Sequence, residues 1–167
     1  STIGPTLRIG LADDQALVRA GLRALLERHG IVTVFEADSG DALLAQIAQH
    51  PVDAVLSDIR MPGIDGIEAV RRLRERGDTT PVLLLTTFDE SDLMLRAIAA
   101  GAQGYMLKDA APEDLHDAIS RIARGEKLLQ PVSTDPVRAR YRYHADDVPR
   151  ALFTEREVAV LRLMAGG

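Results

Sequence analysis

Ala54-Val55-Leu56-Ser57-Asp58-Ile59-Arg60-Met61-Pro62-Gly63 is a short apolar run that stops at a carboxylate and opens into a proline-glycine loop. The pattern recurs along the chain. Leu7–Ala12 stops at Asp13-Asp14, Val82–Leu85 at Thr86-Thr87, and Gly104–Leu107 at Lys108. Four apolar runs therefore each end on a polar residue of a type that phosphoryl chemistry uses. If the runs are neighbouring parallel strands, these residues meet at the carboxyl edge of one sheet, where open α/β folds carry their sites.

Between the runs the pattern turns helical. Leu17/Val18, Gly21/Leu22 and Leu25/Leu26 recur four apart, with Gly30 as a stop. Val32–Phe35 reads as a further strand, and Ser39 as the cap of a helix that ends before Pro51. Ile67, Val70 and Leu73 mark a third helix stopping near Gly77. Leu93, Ala97 and Ile98 mark a fourth, closed by Gly101. Pro112 opens a fifth carrying Leu115, Ala118, Ile119, Ile122 and Ala123 on one stripe. Five strands alternate with five helices, which predicts a doubly wound (βα)5 parallel sheet; we expect the flavodoxin-like kind, which uses the strand order 2-1-3-4-5. Taking their strands as neighbours in that order, we expect the first and last helices side by side. The third and fourth strands are apolar throughout, as central strands covered on both faces should be.

Composition limits the functions open to the chain. With no cysteine among 167 residues, disulfides, thiolate metal sites and cysteine nucleophiles are excluded. A net charge of −5 gives no general attraction to nucleic acid or to anionic membranes. No apolar stretch approaches the ~20 residues of a membrane span, and no signal-peptide pattern opens the chain, so a cytoplasmic protein is expected. After Gly125 the composition shifts to Pro131, Pro136 and Pro149 with Ser133, Thr134, Asp146 and Asp147. We divide the chain into a domain over residues 1–125, a linker over 126–150, and a second, truncated domain over 151–167. That last segment opens with the capping pair Thr154 and Glu157 and continues through Val158, Leu161 and Leu163.

The site chemistry follows from the strand ends. Asp58 is the candidate nucleophile, since a carboxylate that attacks a phosphoryl donor yields an aspartyl phosphate. Asp13, Asp14 and Asp58 would repel one another unless a cation joined them, and an all-oxygen set favours Mg²⁺. A backbone carbonyl from the Arg60 region could complete the protein ligands. Lys108 would pair with one phosphoryl oxygen and Thr86 would donate to another. His29, His50, His116 and His144 show no metal-ligand spacing and read as surface residues. The alternating run Arg138-Ala139-Arg140-Tyr141-Arg142-Tyr143 reads as a tether or docking strand within the linker.

Asp13-Asp14, Ser57 through Gly66, Thr86 and Gly104-Tyr105-Met106-Leu107-Lys108 together resemble the signature of bacterial response-regulator receiver domains. Leu152 through Leu163 resembles the first helix of a LuxR-type helix-turn-helix domain, and the whole resembles the NarL/FixJ family of two-component regulators. The resemblance implies that Asp58 is phosphorylated by a sensor histidine kinase, with Asp14 the more direct metal ligand and Asp13 its assistant. It implies a switch in which the Thr86 hydroxyl moves toward the phosphoryl group and the Tyr105 ring turns into the vacated space. It also implies phosphorylation-promoted dimers and promoter binding through a complete output domain. The chain stops before any recognition helix, so no specific DNA binding is expected of residues 1–167. Many receivers have proline after the lysine; here Asp109 follows, which excludes a cis-proline.

Two positions beyond Asp58 and Thr86 stand Arg60 and Phe88, which we expect to limit the approach of water to the phosphoryl group. The expected protein is a Mg²⁺-dependent, self-phosphorylating and slowly self-dephosphorylating switch, not a turnover enzyme. The alternative is a phosphatase or phosphotransferase of the aspartyl-phosphate type. Such enzymes usually carry a second acid two residues after the nucleophile, and that position is Arg60.

Overall fold

A computed structural model describes residues 6–87 and 91–129. Six strands, β1 (Arg8–Ala12), β2 (Val32–Ala37), β3 (Ala54–Asp58), β4 (Val82–Thr86), β5 (Gly104–Leu107) and β6 (Leu128–Leu129), form one parallel sheet in the order β2-β1-β3-β4-β5-β6. Helices α1 (Ala16–Arg28), α2 (Gly40–Gln49), α3 (Gly66–Glu75), α4 (Ser91–Ala100) and α5 (Pro112–Ala123) connect them. The first five strands have the predicted order 2-1-3-4-5.

Local chemistry sets the helix starts. The Ser39 hydroxyl accepts the Ala42 N–H at 3.1 Å, and the Asp65 carboxylate accepts the Glu68 N–H at 2.8 Å. Each bond satisfies a donor that the helix itself cannot. Gly30 and Gly77 end α1 and α3 with φ of 81° and 79°, a left-handed turn that favours glycine.

Alternation along the strands builds two cores. Val55, Val82, Leu84 and Tyr105 face Leu43, Ile47, Ile67, Val70, Leu73, Leu93 and Ala97 on α2, α3 and α4. Ile9, Leu11, Leu56, Leu83, Leu85 and Met106 face Leu26 of α1 and Leu115, Ala118, Ile119 and Ile122 of α5. Every residue of β3 and β4 is buried, down to the polar Ser57, Asp58 and Thr86 at their carboxyl ends, as central strands covered on both faces should be. Three layers result, with the strand ends free to carry chemistry.

Three details differ from expectation. On α1 only Leu26 is buried, and Leu17 is 89% exposed. Nine residues at about 100° each separate the two leucines by about half a turn, so they cannot share one face. The C-terminal end of α1 does meet α5, where the rings of His29, which caps α1, and His116 lie 5.6 Å apart. Strand adjacency is not the reason, since β3 and β4 lie between β1 and β5. Both helices cover the same face of the sheet. Finally, the segment read as the start of the linker carries β6, whose Leu128 N–H donates to the Gln103 carbonyl at 2.6 Å. Two residues are too few to show any periodicity. The remaining linker, the tether run, His144, the 151–167 helix and Phe88 lie outside the described residues.

Candidate functional site

The carboxyl ends of β1, β3, β4 and β5 bring together Asp13, Asp14, Asp58, Thr86 and Lys108. Asp58 and Thr86 are the last residues of their strands, and Asp13 directly follows Ala12. Asp13, Thr86 and Asp58 are buried, with exposures of 1%, 2% and 8%, whereas Asp14 is exposed. One carboxylate oxygen from each of Asp13, Asp14 and Asp58 lies within 4.8 Å of the others. Such hard, converging oxygens on a partly open edge fit a divalent cation of the Mg²⁺ type.

The Lys108 ammonium stands 3.0 Å from Asp58 Oδ2 and 3.0 Å from Asp13 Oδ2. It donates a well-aligned hydrogen bond to Asp58. Its contact with Asp13 Oδ2 is an ion pair by distance, and that oxygen has no aligned hydrogen bond. The chain therefore supplies one cation to the acid cluster itself, which the sequence reading did not foresee. Burial disfavours the charged lysine, but the two carboxylates outweigh it and hold the ammonium above the ordinary lysine pKa. Burial pushes the Asp58 carboxyl above its ordinary value; Lys108 pulls it back and Asp13 adds to the rise. A proton and a cation thus both compete for a carboxylate that is costly to leave bare.

Backbone contacts hold the site in register. Ile59 N–H donates to the Leu85 carbonyl and Lys108 N–H to the Thr86 carbonyl, at 3.1 and 2.8 Å. Gly66 N–H donates to the Ile59 carbonyl at 2.7 Å, which folds the Arg60–Asp65 loop back onto β3. Arg60 is exposed at that loop, two residues beyond Asp58. The Tyr105 ring is fully buried in the core under α4, opposite Leu84, and Thr86 lies two residues further on β4. By strand alternation Thr86 and Tyr105 share that face. No peptide bond in the described residues is cis, in keeping with Asp109 after Lys108.

Arg19 and Glu36 reach the site without a sequence signal. Arg19 on α1 donates from Nη1 to the Asp13 carbonyl at 2.6 Å and from Nε to Glu36 at 2.8 Å. Nothing local announces a contact between residues 17 apart; only the β1–β2 register, Leu11 opposite Glu36, makes it.

A sheet ordered this way, with an acid triad facing a lysine and a strand-end hydroxyl, defines a domain of the receiver type. Residues 9–120 match the family described as the response regulator receiver domain, and the chain belongs to that family. It is 40% identical to the transcriptional regulatory protein YxjL of Bacillus subtilis (strain 168), over 96% of this chain and 76% of that protein. It is 35% identical to the nitrate/nitrite response regulator NarP of Escherichia coli (strain K12), over 96% of this chain and 75% of that one. Among solved structures, a LuxR-family two-component response regulator from Aurantimonas sp. SI85-9A1 superposes with a TM-score of 0.69. It is 37% identical, over 72% of this chain and 87% of the other. The chain is a two-component response regulator whose relatives are transcriptional regulators of the NarL and LuxR kind. Nothing in these likenesses supports the phosphatase alternative.

Proposed function

We propose that Asp58 accepts a phosphoryl group from a phosphohistidine of a sensor kinase, and that the modified domain then switches a DNA-binding output. The observation that carries this reading is the convergence of Asp13, Asp14 and Asp58 within 4.8 Å, with Lys108 3.0 Å from Asp58. An Asp58 oxygen attacks phosphorus while the bond to the donor's imidazole nitrogen breaks, so the donor leaves with the electron pair and Asp58 carries an acyl phosphate. Asp13, Asp14, Asp58 and the Arg60 carbonyl would hold Mg²⁺, which offsets the charge on the incoming group. Lys108 exchanges its Asp58 contact for a phosphoryl oxygen. The Thr86 hydroxyl donates to another, and Tyr105 adjusts its ring on the same face.

Arg60 and Phe88 limit the approach of water and so set the lifetime of the acyl phosphate. The adjoining faces of α1 and α5 form a phosphorylation-promoted dimer surface, which adds avidity on paired DNA half-sites. Among the described residues no helix is long and apolar enough to cross a membrane.

Acetyl phosphate with Mg²⁺ tests the reading. One stoichiometric, slowly lost phosphoryl group per chain is expected, and sustained turnover of organic phosphate esters would favour an enzyme instead. Small polar replacements at both Arg60 and Phe88 should change the lifetime of that group, and an unchanged lifetime removes them from the role. Light scattering should show a rise in mass on phosphorylation, and no rise counts against the dimer.

The three acids should not contribute equally. Asp14 is exposed and free to turn toward an ion, whereas Asp13 is buried with Oδ1 accepting the Gln15 N–H at 2.8 Å. Asp14→Ala should therefore weaken Mg²⁺ binding more than Asp13→Ala in calorimetric titrations. Equal affinities in the two variants would contradict that ranking.

A further inference from the structure

We propose that Arg19, clamped by Glu36, is a positioning residue for the cation-binding carboxylates, setting the geometry of the Asp13–Asp14 loop without touching the ion. The proposal rests on the reading that these acids hold a divalent cation. The Asp13 backbone is gripped at both ends: its N–H donates to the Ala37 carbonyl at 3.0 Å, and its carbonyl accepts Arg19 Nη1 at 2.6 Å. That carbonyl belongs to the peptide joining Asp13 to Asp14. Its orientation fixes where Asp14 stands, because the peptide unit is planar.

Arg19 is itself held. Its Nε donates to Glu36 Oε1 at 2.8 Å, and the other Glu36 oxygen accepts Arg23 Nη1 at 2.8 Å. The side chains of Arg19 and Glu36 are 20% and 29% exposed, so the pair is largely sheltered. Arg19 before all else, with Arg23, holds the Glu36 carboxyl below its ordinary pKa against the opposing effect of burial. Glu36 and Ala37 are neighbours on β2, so the cation loop is tied twice to that edge strand.

Positioning and simple electrostatics make opposite forecasts. Arg19 brings a positive charge near a cation site, so removing that charge should tighten cation binding if charge alone mattered. If Arg19 aims the loop, its removal should weaken binding despite the lost repulsion. Groups that orient metal ligands typically matter about 10–100-fold in affinity.

The experiment measures free Mn²⁺ by electron paramagnetic resonance during titration of the protein, with Mg²⁺ competition. Thermal unfolding in cation-free buffer runs in parallel. Arg19→Met should raise the Mn²⁺ dissociation constant about tenfold. Arg19→Lys keeps the charge but cannot bridge Asp13 and Glu36 in a fork, so it should also bind more weakly than the parent. Glu36→Gln keeps an acceptor and the fold, and should weaken binding by a smaller factor. Combined with Arg19→Met, it should add nothing further.

Unchanged or tighter binding in folded Arg19→Met overturns the proposal, as does full additivity of the two variants. Should Arg19→Met fail to fold, unaltered binding in Glu36→Gln overturns it alone. A parent that binds no Mn²⁺ has no loop to position and overturns it too. A parent that binds Mn²⁺ yet takes no phosphoryl group from acetyl phosphate refutes the phosphoacceptor reading and leaves this one standing.

Discussion

Asp58→Asn is expected to abolish phosphoryl incorporation from acetyl phosphate and, in cation-free buffer at neutral pH, to melt at a higher temperature than the parent. The first effect follows because an amide cannot act as the nucleophile. The second follows from the carboxyl's surroundings. Burial, the largest influence, raises its pKa above the ordinary 3.8, and the counter-pull of Lys108 does not cancel the rise. An acid whose folded pKa exceeds its unfolded one binds its proton more tightly when folded. The penalty is therefore absent at pH values below about 3.8, grows as pH rises through the folded pKa, and is fully present above it. Asparagine carries no charge and escapes it. Thermal unfolding of both proteins across this pH range checks the sign: the gain should shrink as pH falls. A variant that melts lower than the parent at neutral pH contradicts the account of Asp58 as a costly buried charge.

Gly66→Ala is expected to be the most damaging single methyl near the site. A Cβ at that position would lie 2.3 Å from the Asp58 carbonyl oxygen and 3.1 Å from Ile59 Cα, both backbone atoms that no rotamer change can move. Relief requires the start of α3 to lift from the end of β3, straining the 2.7 Å bond from Gly66 N–H to the Ile59 carbonyl. Overpacking of this kind costs about 1–3 kcal/mol, and a clash with backbone atoms alone puts this case at about 3 kcal/mol. The gain in helix propensity, at most about 1 kcal/mol, does not offset it. Urea unfolding measures the loss, and the displaced Asp58 should also be phosphorylated more slowly. A change below about 0.5 kcal/mol would show that the loop yields freely.

Much of this site was legible in the sequence because strands impose a simple rule. Once Ala54–Ser57 and Val82–Leu85 are read as central parallel strands, the residues at their ends must share one edge. Asp13, Asp14, Asp58, Thr86 and Lys108 do so. What stayed hidden depends on orientation and register. The exposure of Leu17 follows from its helical phase, which the paired spacing with Val18 obscured. The two-residue β6 follows from pairing with β5 and leaves no pattern of its own. Lys108 as counter-ion to Asp13 and Asp58, and Arg19 on the Asp13 carbonyl, depend on where long flexible side chains come to rest. Its strand end puts Lys108 at the site, but only the folded chain pairs it with acids at 3.0 Å.

The central claim is that Asp58 is the phosphoacceptor, and mapping the modification tests it most directly. The protein is treated with acetyl phosphate and Mg²⁺, weighed intact, then reduced with borohydride, which converts an aspartyl phosphate to homoserine, and digested. The account predicts one phosphoryl group per chain, lost when a chelator replaces Mg²⁺, and homoserine at position 58. Incorporation that persists in chelator, or a phosphoryl group found on any residue other than Asp58, would contradict it.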